Sequence, residues 1–357
     1  MTDQLQDQFR REIDRQPAAM RQAAERTLAM QADIVRECAD HPAPAVVYAG
    51  MGTSLSTGWA AASALARRGA LAGSLPASEL LHARWPGIPN GARVVAVSQS
   101  GESAETVKLC QLLRAKRPDV RILAVTNHAD SSIADAAHLT ISTELGLERG
   151  PSTMTYAATM VVQDALASLI AVRDQGSAEL GSDFAARVDR AADEVARLLA
   201  AGAGTDSIVN DWAGREDRLI VVGRGAALTA AMVSCLILKE AALFSSEALE
   251  SGDFRHGPLE LARPGLLVGV VSLEGDTRAL DQALVEDLRT TGTSVLAIGA
   301  PAGTFAAATH LPLADLDPLL ATIPATVPFQ LLAWQRARDL GRTPDAMTVA
   351  TKVTSRE

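Results

Sequence analysis

The fold of this chain is decided by the stretch Val94-Val95-Ala96-Val97-Ser98-Gln99-Ser100-Gly101-Glu102-Ser103-Ala104-Glu105-Thr106. Its first four residues form an apolar run, which predicts a buried strand of a parallel sheet. Three hydroxyl residues, an amide and a glycine then lead into the pattern of an amphipathic helix. Such a turn brings together backbone N–H groups, the positive end of a helix dipole and neutral donors, which suits a phosphate. Taken alone, the turn is equally compatible with an ordinary strand-to-helix connection capped by serine.

The composition restricts the partners that this chain can have. A length of 357 residues predicts about two domains. The net charge of −9, without a block of Lys and Arg, argues against nucleic acid or an anionic membrane surface as the main partner. No apolar run approaches the roughly 18 residues that would cross a bilayer, and the polar N-terminus does not resemble a signal peptide. The three cysteines, Cys38, Cys110 and Cys235, lie far apart, which predicts buried, reduced thiols in a cytoplasmic protein.

Short apolar runs alternate with alanine-rich helical patterns along most of the chain, which is typical of parallel α/β sheets. Residues 5–40 are predicted to be helical, with a second helix opening at Pro17. Further helices are predicted over about 153–174, 180–202 and 226–244. The predicted strands are 46–49, 94–97, 122–125, 138–141, 219–222, 266–271, 295–298 and 310–313.

The order of these elements occurs twice. Gly52 precedes Ser98 by 46 residues, and Gly223 precedes Ser272 by 49, so the spacing indicates an internal duplication. The predicted fold class is therefore α/β, with two tandem domains, each a parallel sheet flanked by helices on both faces in a flavodoxin-like sandwich. The predicted division is a helical arm over 1–40, a phosphate-binding domain over 41–200, a second domain over 201–340 and a tail over 341–357.

The two copies differ at the turn that could hold phosphate. The second copy reads Ser272-Leu273-Glu274-Gly275-Asp276-Thr277, in which two carboxylates would repel a phosphate, so one phosphate site is expected, in the first copy. The first copy also has Gly50-Met51-Gly52-Thr53-Ser54 at the start of a helix. A dinucleotide fingerprint needs a third glycine and an acidic residue about 20 positions later, and neither is present. Thr53 and Ser54 are instead expected to face the same anion as Ser98 to Ser103.

Ionisable groups that could move protons come from the second copy and from the tail. Lys239 and Glu240 interrupt an apolar helix, Glu247 would share its face if the helix continued, and His256 begins a rigid His-Gly-Pro turn. A carboxylate and a histidine near a phosphate pocket suit proton transfer on a sugar. Ion-paired surface residues and a helix-capping histidine explain the same pattern. Lys352 is either an exposed lysine of a frayed tail or an amine that could attack a carbonyl.

At these residues the chain resembles proteins with two sugar-isomerase (SIS) domains, typified by the isomerase half of glucosamine-6-phosphate synthase and by stand-alone aminosugar-6-phosphate deaminases. The matching motifs are Glu12-Ile13, Gln16-Pro17, Gly52 to Ser54, Ala77-Ser78-Glu79, Ser98 to Thr106, Gly223-Arg224-Gly225, Leu238-Lys239-Glu240, Glu247 to Pro258, Val327 to Leu332 and the tail. The order and spacing of the Ser-Gln-Ser-Gly-Glu and His-Gly-Pro motifs are specific to this family.

The resemblance implies a role for each matching residue. Glu240 would be the base that moves a proton between C1 and C2, and His256, supplied by the neighbouring subunit of a homodimer, would assist ring opening. Lys352 would close over the open-chain sugar, and no metal or other cofactor would be needed. The residues implied in phosphate binding are Gly52, Thr53, Ser54, Ser98, Gln99, Ser100 and Ser103, and those implied in sugar binding are Ser152 and Lys239.

The chain departs from the family pattern around the sugar. Met154 and Ile237 stand where relatives often carry a basic residue, and Met347-Thr348-Val349-Ala350 replaces the usual Pro-Arg-x-Leu. Only about 40 residues precede the first domain, so a glutaminase domain and glutamine-dependent synthesis are not expected. The first expectation is an aminosugar-6-phosphate deaminase/isomerase. The remaining candidates are a fructosamine-6-phosphate deglycase, a plain phosphosugar isomerase and a non-catalytic sugar-phosphate sensor.

Overall fold

The computed structural model describes residues 2–170, 180–201, 218–305, 308–344, 349 and 351–354. The chain forms two compact units, each of which contains one copy of the duplicated sequence. The first unit comprises Ala18–Glu148, Met154–Asp189 and Thr348–Glu357, and the second comprises Met1–Pro17, Arg149–Thr153 and Arg190–Met347. Because the units interleave along the chain, the division into four consecutive segments remains a prediction.

Three helices precede the first sheet, where the sequence predicts a helical segment over 5–40 with a second helix opening at Pro17. They are α1 (Thr2–Asp14), α2 (Gln16–Ala29) and α3 (Gln31–Asp40), and Pro17 lies in the first turn of α2. The elements of the first copy follow. They are β1 (Val46–Gly50), α4 (Thr53–Arg67), β2 (Ala72–Pro76), α5 (Ala77–Glu79), β3 (Arg93–Val97), α6 (Ala104–Lys116), β4 (Arg121–Thr126), α7 (Ser132–Ala136), β5 (Leu139–Ser142) and α8 (Met154–Ile170).

The second copy repeats this order, except that α7 has no counterpart among the described residues between its last two strands. Its elements are α9 (Phe184–Ala200), β6 (Leu219–Gly223), α10 (Ala226–Ala242), β7 (Ser246–Glu250), α11 (Ser251–Arg255), β8 (Leu267–Ser272), α12 (Arg278–Thr290), β9 (Ser294–Gly299), β10 (Thr309–Leu311) and α13 (Pro318–Asp339). Within the described residues, the strands form two parallel five-stranded sheets of matching order, β2-β1-β3-β4-β5 and β7-β6-β8-β9-β10. This match confirms the predicted α/β fold class and the duplication.

The central strands are buried because helices cover both faces of each sheet. Every residue of β3 and of β8 is buried, which explains the continuous apolar runs at 94–97 and 267–271 within them. In the first unit α4 packs with α8, whereas α6 packs with α5 and α7. Leu109 and Leu113 of α6 join Val94 and Ile122 of the sheet in one hydrophobic core.

The structure differs from the sequence prediction in two places: the strands β2 and β7 were not predicted, and the helix predicted over 226–244 does not continue to Glu247. The edge strands β2 and β7 contain no apolar run that would predict a strand, because their residues are mostly half-buried or exposed. The helix predicted over 226–244 ends at Ala242, since Leu243 adopts a left-handed conformation (φ 50°). Glu247 therefore lies on β7, and does not share a helical face with Lys239 and Glu240.

The cysteines are free thiols, as expected. Cys110 and Cys235 are buried, and burial raises the pKa of each to about 12. Cys38 is only half-buried, so the expectation of complete burial is wrong for this one residue.

Candidate active site

In each sheet there is one pair of neighbouring strands from which the chain continues towards opposite sides of the sheet. From β1 the chain proceeds to β2 on one side and then crosses to β3 on the other, so β1 and β3 flank a topological switch point, where open parallel sheets bind ligands. The loops after β1 and β3 approach closely there, because a Cβ atom added to Gly50 would lie 3.0 Å from the carbonyl oxygen of Val97. The sequence-predicted phosphate residues of both loops therefore meet at one edge of the first unit.

The turn after β3 is held by its own hydroxyl groups. The side-chain oxygens of Ser98 and Ser103 are 3.0 Å apart, and the backbone N–H of Gly101 donates to Ser98 Oγ at 3.1 Å. The backbone N–H of Glu102 donates to Ser100 Oγ at 3.1 Å. Ser98 is buried, whereas Ser100 and Ser103 are half-buried. The rigid inner serine thus positions outer groups that solvent, or a ligand, can reach.

Two features keep this turn open to an anion. Ser103 is the N-cap of α6, yet no side-chain hydrogen bond caps the helix. The carboxylate of Glu102, the acid of the motif, accepts hydrogen bonds from the backbone N–H and the hydroxyl of Ser132 at 2.8 and 2.7 Å. This acid therefore caps α7 and is not directed at the start of α6. The neutral hydroxyl donors of the turn remain for an anion, whereas the first N–H of α6, that of Ala104, is bonded to the carbonyl oxygen of Thr354.

The loop after β1 makes a second uncapped helix start. Gly52 is the N-cap of α4 with φ 54° and ψ −128°, and no side chain caps this helix. Thr53 and Ser54 follow and are half-buried. Their hydroxyl groups make no hydrogen bond within the described part of the chain. They are therefore available to a ligand at the switch point.

The C-terminal tail lies against the first unit through two contacts. The ammonium group of Lys352 is 3.5 Å from Glu148 Oε2, and the side chain of Glu148 is fully buried. Glu148 also accepts a hydrogen bond from the backbone N–H of Thr155 at 3.2 Å, and a second one from the Thr155 hydroxyl, at the start of α8. Further along the tail, the carbonyl oxygen of Thr354 accepts the N–H of Ala104, the first residue of α6, at 3.0 Å.

Glu148 is a site residue that sequence reasoning missed. A buried carboxylate needs a partner, because transfer from water into the protein interior costs several kcal/mol without one. Lys352 and Thr155 supply that partnership. The available sequence signal was an acid just before the Gly-Pro-Ser-Thr segment, but Lys352 lies about 200 residues away, so the pair is visible only in the fold.

The other predicted residues belong to the second unit. Ser152 is half-buried, and the segment before it is fixed by the buried carboxylate of Glu12, which accepts the N–H groups of Arg149 and Gly150 at 2.7 and 3.0 Å. Glu240 is half-buried in the last turn of α10.

His256 and Lys239 are the exposed members of the predicted set. His256 is the C-cap of α11, and its backbone N–H donates to the carbonyl oxygen of Asp253 at 3.0 Å. Its imidazole makes no hydrogen bond to the described residues. Lys239 lines a cavity at the amino ends of β6 and β7, which is the edge opposite to the switch point of its own sheet.

The second unit closes its own switch point with a carboxylate. Glu274, which corresponds to Ser100, is buried and accepts the N–H of Ala226, the first residue of α10, at 3.0 Å. A Cβ atom added to Gly225 would lie 2.2 Å from Glu274 Oε1, so the acid fills the space above the helix start. Glu274 therefore occupies the position that an anionic ligand would take.

Further charges surround this closed switch point. Arg224 contacts Glu250 at 3.2 Å and Asp281 at 3.5 Å. Burial raises the pKa of the Asp281 carboxyl, and the charge of Arg224 opposes that rise. The protein thus neutralises this end of the second sheet with its own side chains.

Within the described residues, no group of His, Cys, Asp and Glu side chains is arranged to hold a metal ion. In the same part of the chain, no helix has the length and apolar character to cross a membrane.

The comparisons with known proteins agree with this architecture. The SIS domain family matches residues 41–169 and 215–311, so the chain belongs to the SIS domain family, and the expected resemblance is confirmed. It is 28% identical over 346 residues to the isomerizing glutamine–fructose-6-phosphate aminotransferase of Thermococcus kodakarensis, covering 94% of this chain and 56% of that protein. The chain therefore spans about half the length of the curated relatives that it matches.

Two solved structures share the fold. The tagatose-6-phosphate ketose/aldose isomerase of Escherichia coli superposes with a TM-score of 0.79 at 21% identity, covering 96% of each chain. The glucosamine-6-phosphate deaminase of Thermotoga maritima gives a TM-score of 0.69 at 18% identity, covering 93% of this chain and 99% of the other. At these identities the likeness establishes the fold alone.

Proposed function

We propose that this chain is an aldose–ketose isomerase of a sugar 6-phosphate and, within that class, an aminosugar-6-phosphate deaminase. Its reaction would convert glucosamine 6-phosphate into fructose 6-phosphate and ammonia. The observation that carries the proposal is the first switch point, where the loops after β1 and β3 bring hydroxyl groups of Thr53, Ser54 and Ser100 to one edge of the sheet, no side chain caps α4, and Glu102 is bonded to Ser132. In a protein of net charge −9, a local site of this kind is what an anionic substrate requires.

The phosphate would accept hydrogen bonds from Thr53, Ser54, Ser98, Gln99, Ser100 and Ser103, and from N–H groups near Gly52. Each hydrogen bond to a charged group contributes about 1.5–3 kcal/mol. Holding the phosphate fixes the far end of the sugar, so that C1 and C2 are presented in one orientation.

Glu240 is the proposed base. It would remove the proton from C2 of the open-chain aminosugar and return it to C1, while the aldehyde oxygen gains a proton and the C2 amine becomes an imine. Water would then add to C2, and ammonia would leave from the same carbon. Glu240 is half-buried near the end of α10, so its carboxylate retains access to a ligand.

His256 is the proposed acid–base group for ring opening, contributed to the neighbouring subunit of a homodimer. Its exposure and the absence of side-chain hydrogen bonds to described residues support a partner outside the chain. The rigid turn at Gly257 and Pro258 would hold the imidazole in place. Ser152 remains a proposed sugar-binding residue, and a cytoplasmic location fits a soluble sugar phosphate as substrate. Lys239 lines the cavity at the amino ends of β6 and β7, and we do not include it in the proposed sugar site.

Lys352 is proposed to close over the open-chain sugar as part of the tail. Its contact with the buried Glu148 supports a positioned cation, which would stabilise negative charge that develops on the sugar oxygens. An unprotonated amine would be needed for attack on a carbonyl, and the ion pair with Glu148 favours the electrostatic role.

The experiment is ammonia release by the purified protein from glucosamine 6-phosphate, measured beside galactosamine 6-phosphate and fructoselysine 6-phosphate. Ammonia together with a ketose 6-phosphate is the expected result. The activity should fall by a factor of about 10³ or more in Glu240→Gln, and should persist in Glu25→Gln, which removes an exposed carboxylate from α2.

Three results would replace the deaminase with another function. Release of an amino acid from the fructosamine, without ammonia from either aminosugar, would identify a deglycase, and the changed residues Met154 and Ile237 near the sugar make this the second candidate. Interconversion of sugar phosphates without loss of nitrogen would leave a plain isomerase. Tight binding without turnover, unaffected by Glu240→Gln, would identify a sensor.

A further inference from the structure

The second unit contains a cavity of about 430 Å³ that the proposed reaction does not use. It lies at the amino ends of β6 and β7, beside Ser245 and the residues just before β8. The strands run from it towards Gly223 and Glu250, which lie at the edge that Glu274 closes. The cavity is therefore separate from the switch point of its own sheet. Its volume is within the range of small-molecule sites.

The lining of this cavity carries an excess of positive charge. Three cations, Arg218, Lys239 and Arg263, line it together with one carboxylate, Glu247, which gives a formal charge of +2. Within the described part of the chain, none of these four side chains forms an ion pair or a hydrogen bond. Three like charges that face one space repel one another, and the repulsion is relieved when an anion enters.

Unpaired arginines of this kind contrast with others in the same unit. Arg197 is 2.6 Å from Glu194, and Arg255 is 2.7 Å from Asp287. Guanidinium groups elsewhere in this unit are thus paired with carboxylates, whereas the cations of the cavity have no such partner within the described residues.

A comparison of the two copies shows that the fold alone does not require positive charge at this position. The first unit has a cavity of about 580 Å³ in the equivalent position, at the amino ends of β1 and β2, with a mainly apolar lining that includes Val47, Leu75 and Ile88. Its one charged lining residue is Arg84, which is 3.8 Å from the carboxylate of Glu79. The same architectural position is therefore apolar in one copy and cationic in the other.

Helix electrostatics explain only part of the difference. Lys239 lies in the last turn of α10, where a cation is stabilised by the negative end of the helix dipole. Arg218 and Arg263 precede strands β6 and β8 and belong to no helix, so the dipole gives no reason for their presence. Two arginines can each bind a phosphate group through paired N–H donors.

We propose that this cavity is a second anion site, which binds a phosphorylated small molecule through Arg218, Lys239 and Arg263. The ligand carries at least two negative charges, to match the charge of the lining. It is either a second molecule of a sugar phosphate or a nucleoside diphosphate, since both present the same phosphate chemistry. The site is distinct from the proposed catalytic phosphate site, which lies in the first unit.

The test is calorimetric titration of the full-length protein with pyrophosphate, followed by fructose 6-phosphate and ADP in separate arms at matched ionic strength. The titrations use a Ser100→Glu background, in which a carboxylate blocks the proposed catalytic phosphate site. Saturable binding of one pyrophosphate per chain is expected, weakening as salt is raised. Arg218→Gln with Arg263→Gln in this background should lower the affinity by about tenfold or more.

A matched control makes the same change in net charge elsewhere. Arg68→Gln with Arg84→Gln removes two arginines from the first unit, one of them at the equivalent cavity, and should leave pyrophosphate affinity unchanged. The proposal is overturned if the Ser100→Glu protein binds no pyrophosphate, or if both double variants lose affinity equally. Preferential binding of fructose 6-phosphate or of ADP identifies the source of the ligand. Because the background lacks the catalytic phosphate site, this result does not depend on the proposed reaction.

Discussion

The two switch points of this chain show how one fold can keep or lose an anion site. In the second unit, Glu274 on the turn after β8 reaches the N–H of Ala226 and closes the start of α10. Its counterpart in the first unit is Ser100, and no side chain caps α4, the helix equivalent to α10. The glycines that precede the two helices have nearly the same conformation, with φ 54° at Gly52 and φ 52° at Gly225. The backbone at this position is thus alike in the two copies, and under the proposed function the side chain at one position would decide which copy can bind phosphate.

The largest effect is expected from moving the second copy's carboxylate into the first. By analogy with Glu274, Ser100→Glu would place a negative charge at the start of α4, where it would interact favourably with the helix dipole and repel the substrate phosphate. Together with the lost hydrogen bond, this should cost about 4 kcal/mol in kcat/KM, a factor near 10³. Steady-state kinetics measure the loss, and Ser100→Ala should cost only about tenfold. Equal losses in the two variants would show that charge is not the deciding property.

Two equivalent glycines should respond very differently to the same substitution. Gly101 has φ +71°, and an added Cβ atom would lie 2.1 Å from Ser131 Oγ. Gly101→Ala should therefore lower the free energy of unfolding by about 2–5 kcal/mol. Gly275, its counterpart, has no atom closer than Arg278 Nη2 at 3.9 Å, so Gly275→Ala should be nearly neutral. Denaturant unfolding of both variants tests the comparison, and similar losses would contradict it.

The carboxylates that precede the last helix of each unit form a second matched pair. Glu148 accepts the N–H of the second residue of α8 and also contacts Lys352, whereas Asp317 accepts the N–H of Leu319, the second residue of α13, at 3.0 Å. Glu148→Gln should destabilise the protein by about 1–3 kcal/mol, because the buried ion pair is lost. Asp317→Asn keeps an equivalent cap and should cost less than about 0.5 kcal/mol.

Limited proteolysis of the C-terminal tail in Glu148→Gln distinguishes local release of the tail from a general loss of stability. If Glu148 holds the tail, Glu148→Gln should speed tail cleavage under conditions where the rest of the chain stays intact. Unchanged cleavage of the tail would show that Lys352 is held by other contacts.

The smallest effect is expected from opening the second switch point. Glu274→Ser removes the carboxylate above α10 and should cost about 1 kcal/mol of stability, since the helix loses its cap. The helix start that is opened in this way should bind phosphate. Phosphate should therefore raise the melting temperature of this variant more than that of the parent protein. The same measurement in Arg218→Gln/Arg263→Gln separates this gain from binding at the cationic cavity. An unchanged phosphate response would mean that the second copy lacks more than the serine.

Much of the fold could be predicted because buried parallel strands consist of consecutive apolar residues, which are visible in the sequence. The runs at 94–97 and 219–222 mark β3 and β6, and the repeated spacing reveals the duplication. The edge strands β2 and β7 were not predicted, because part of their surface faces away from the core and residues such as Ser74 and Glu247 are therefore polar.

The site was predictable where it is local in sequence and not where it depends on tertiary contacts. The turn from Ser98 to Ser103 and the start of α4 could be placed together, because loops after neighbouring parallel strands open at one edge. Glu148 could not be found, since its partner Lys352 follows it by about 200 residues. The placement of Lys239 beside a cavity at the amino edge likewise depends on where α10 ends, and a left-handed residue at Leu243 decides that.

A crystal structure of the full-length protein with fructose 6-phosphate bound would show directly whether the first switch point is the open one. We expect phosphate density within hydrogen-bond distance of Ser100 and Thr53 in the first unit, with Glu274 still bound to the N–H of Ala226 in the second. Two results would contradict the assignment of the catalytic phosphate site to the first unit. One is phosphate at the start of α10 with Glu274 displaced, and the other is a sugar phosphate bound elsewhere while the turn from Ser98 to Ser103 stays empty.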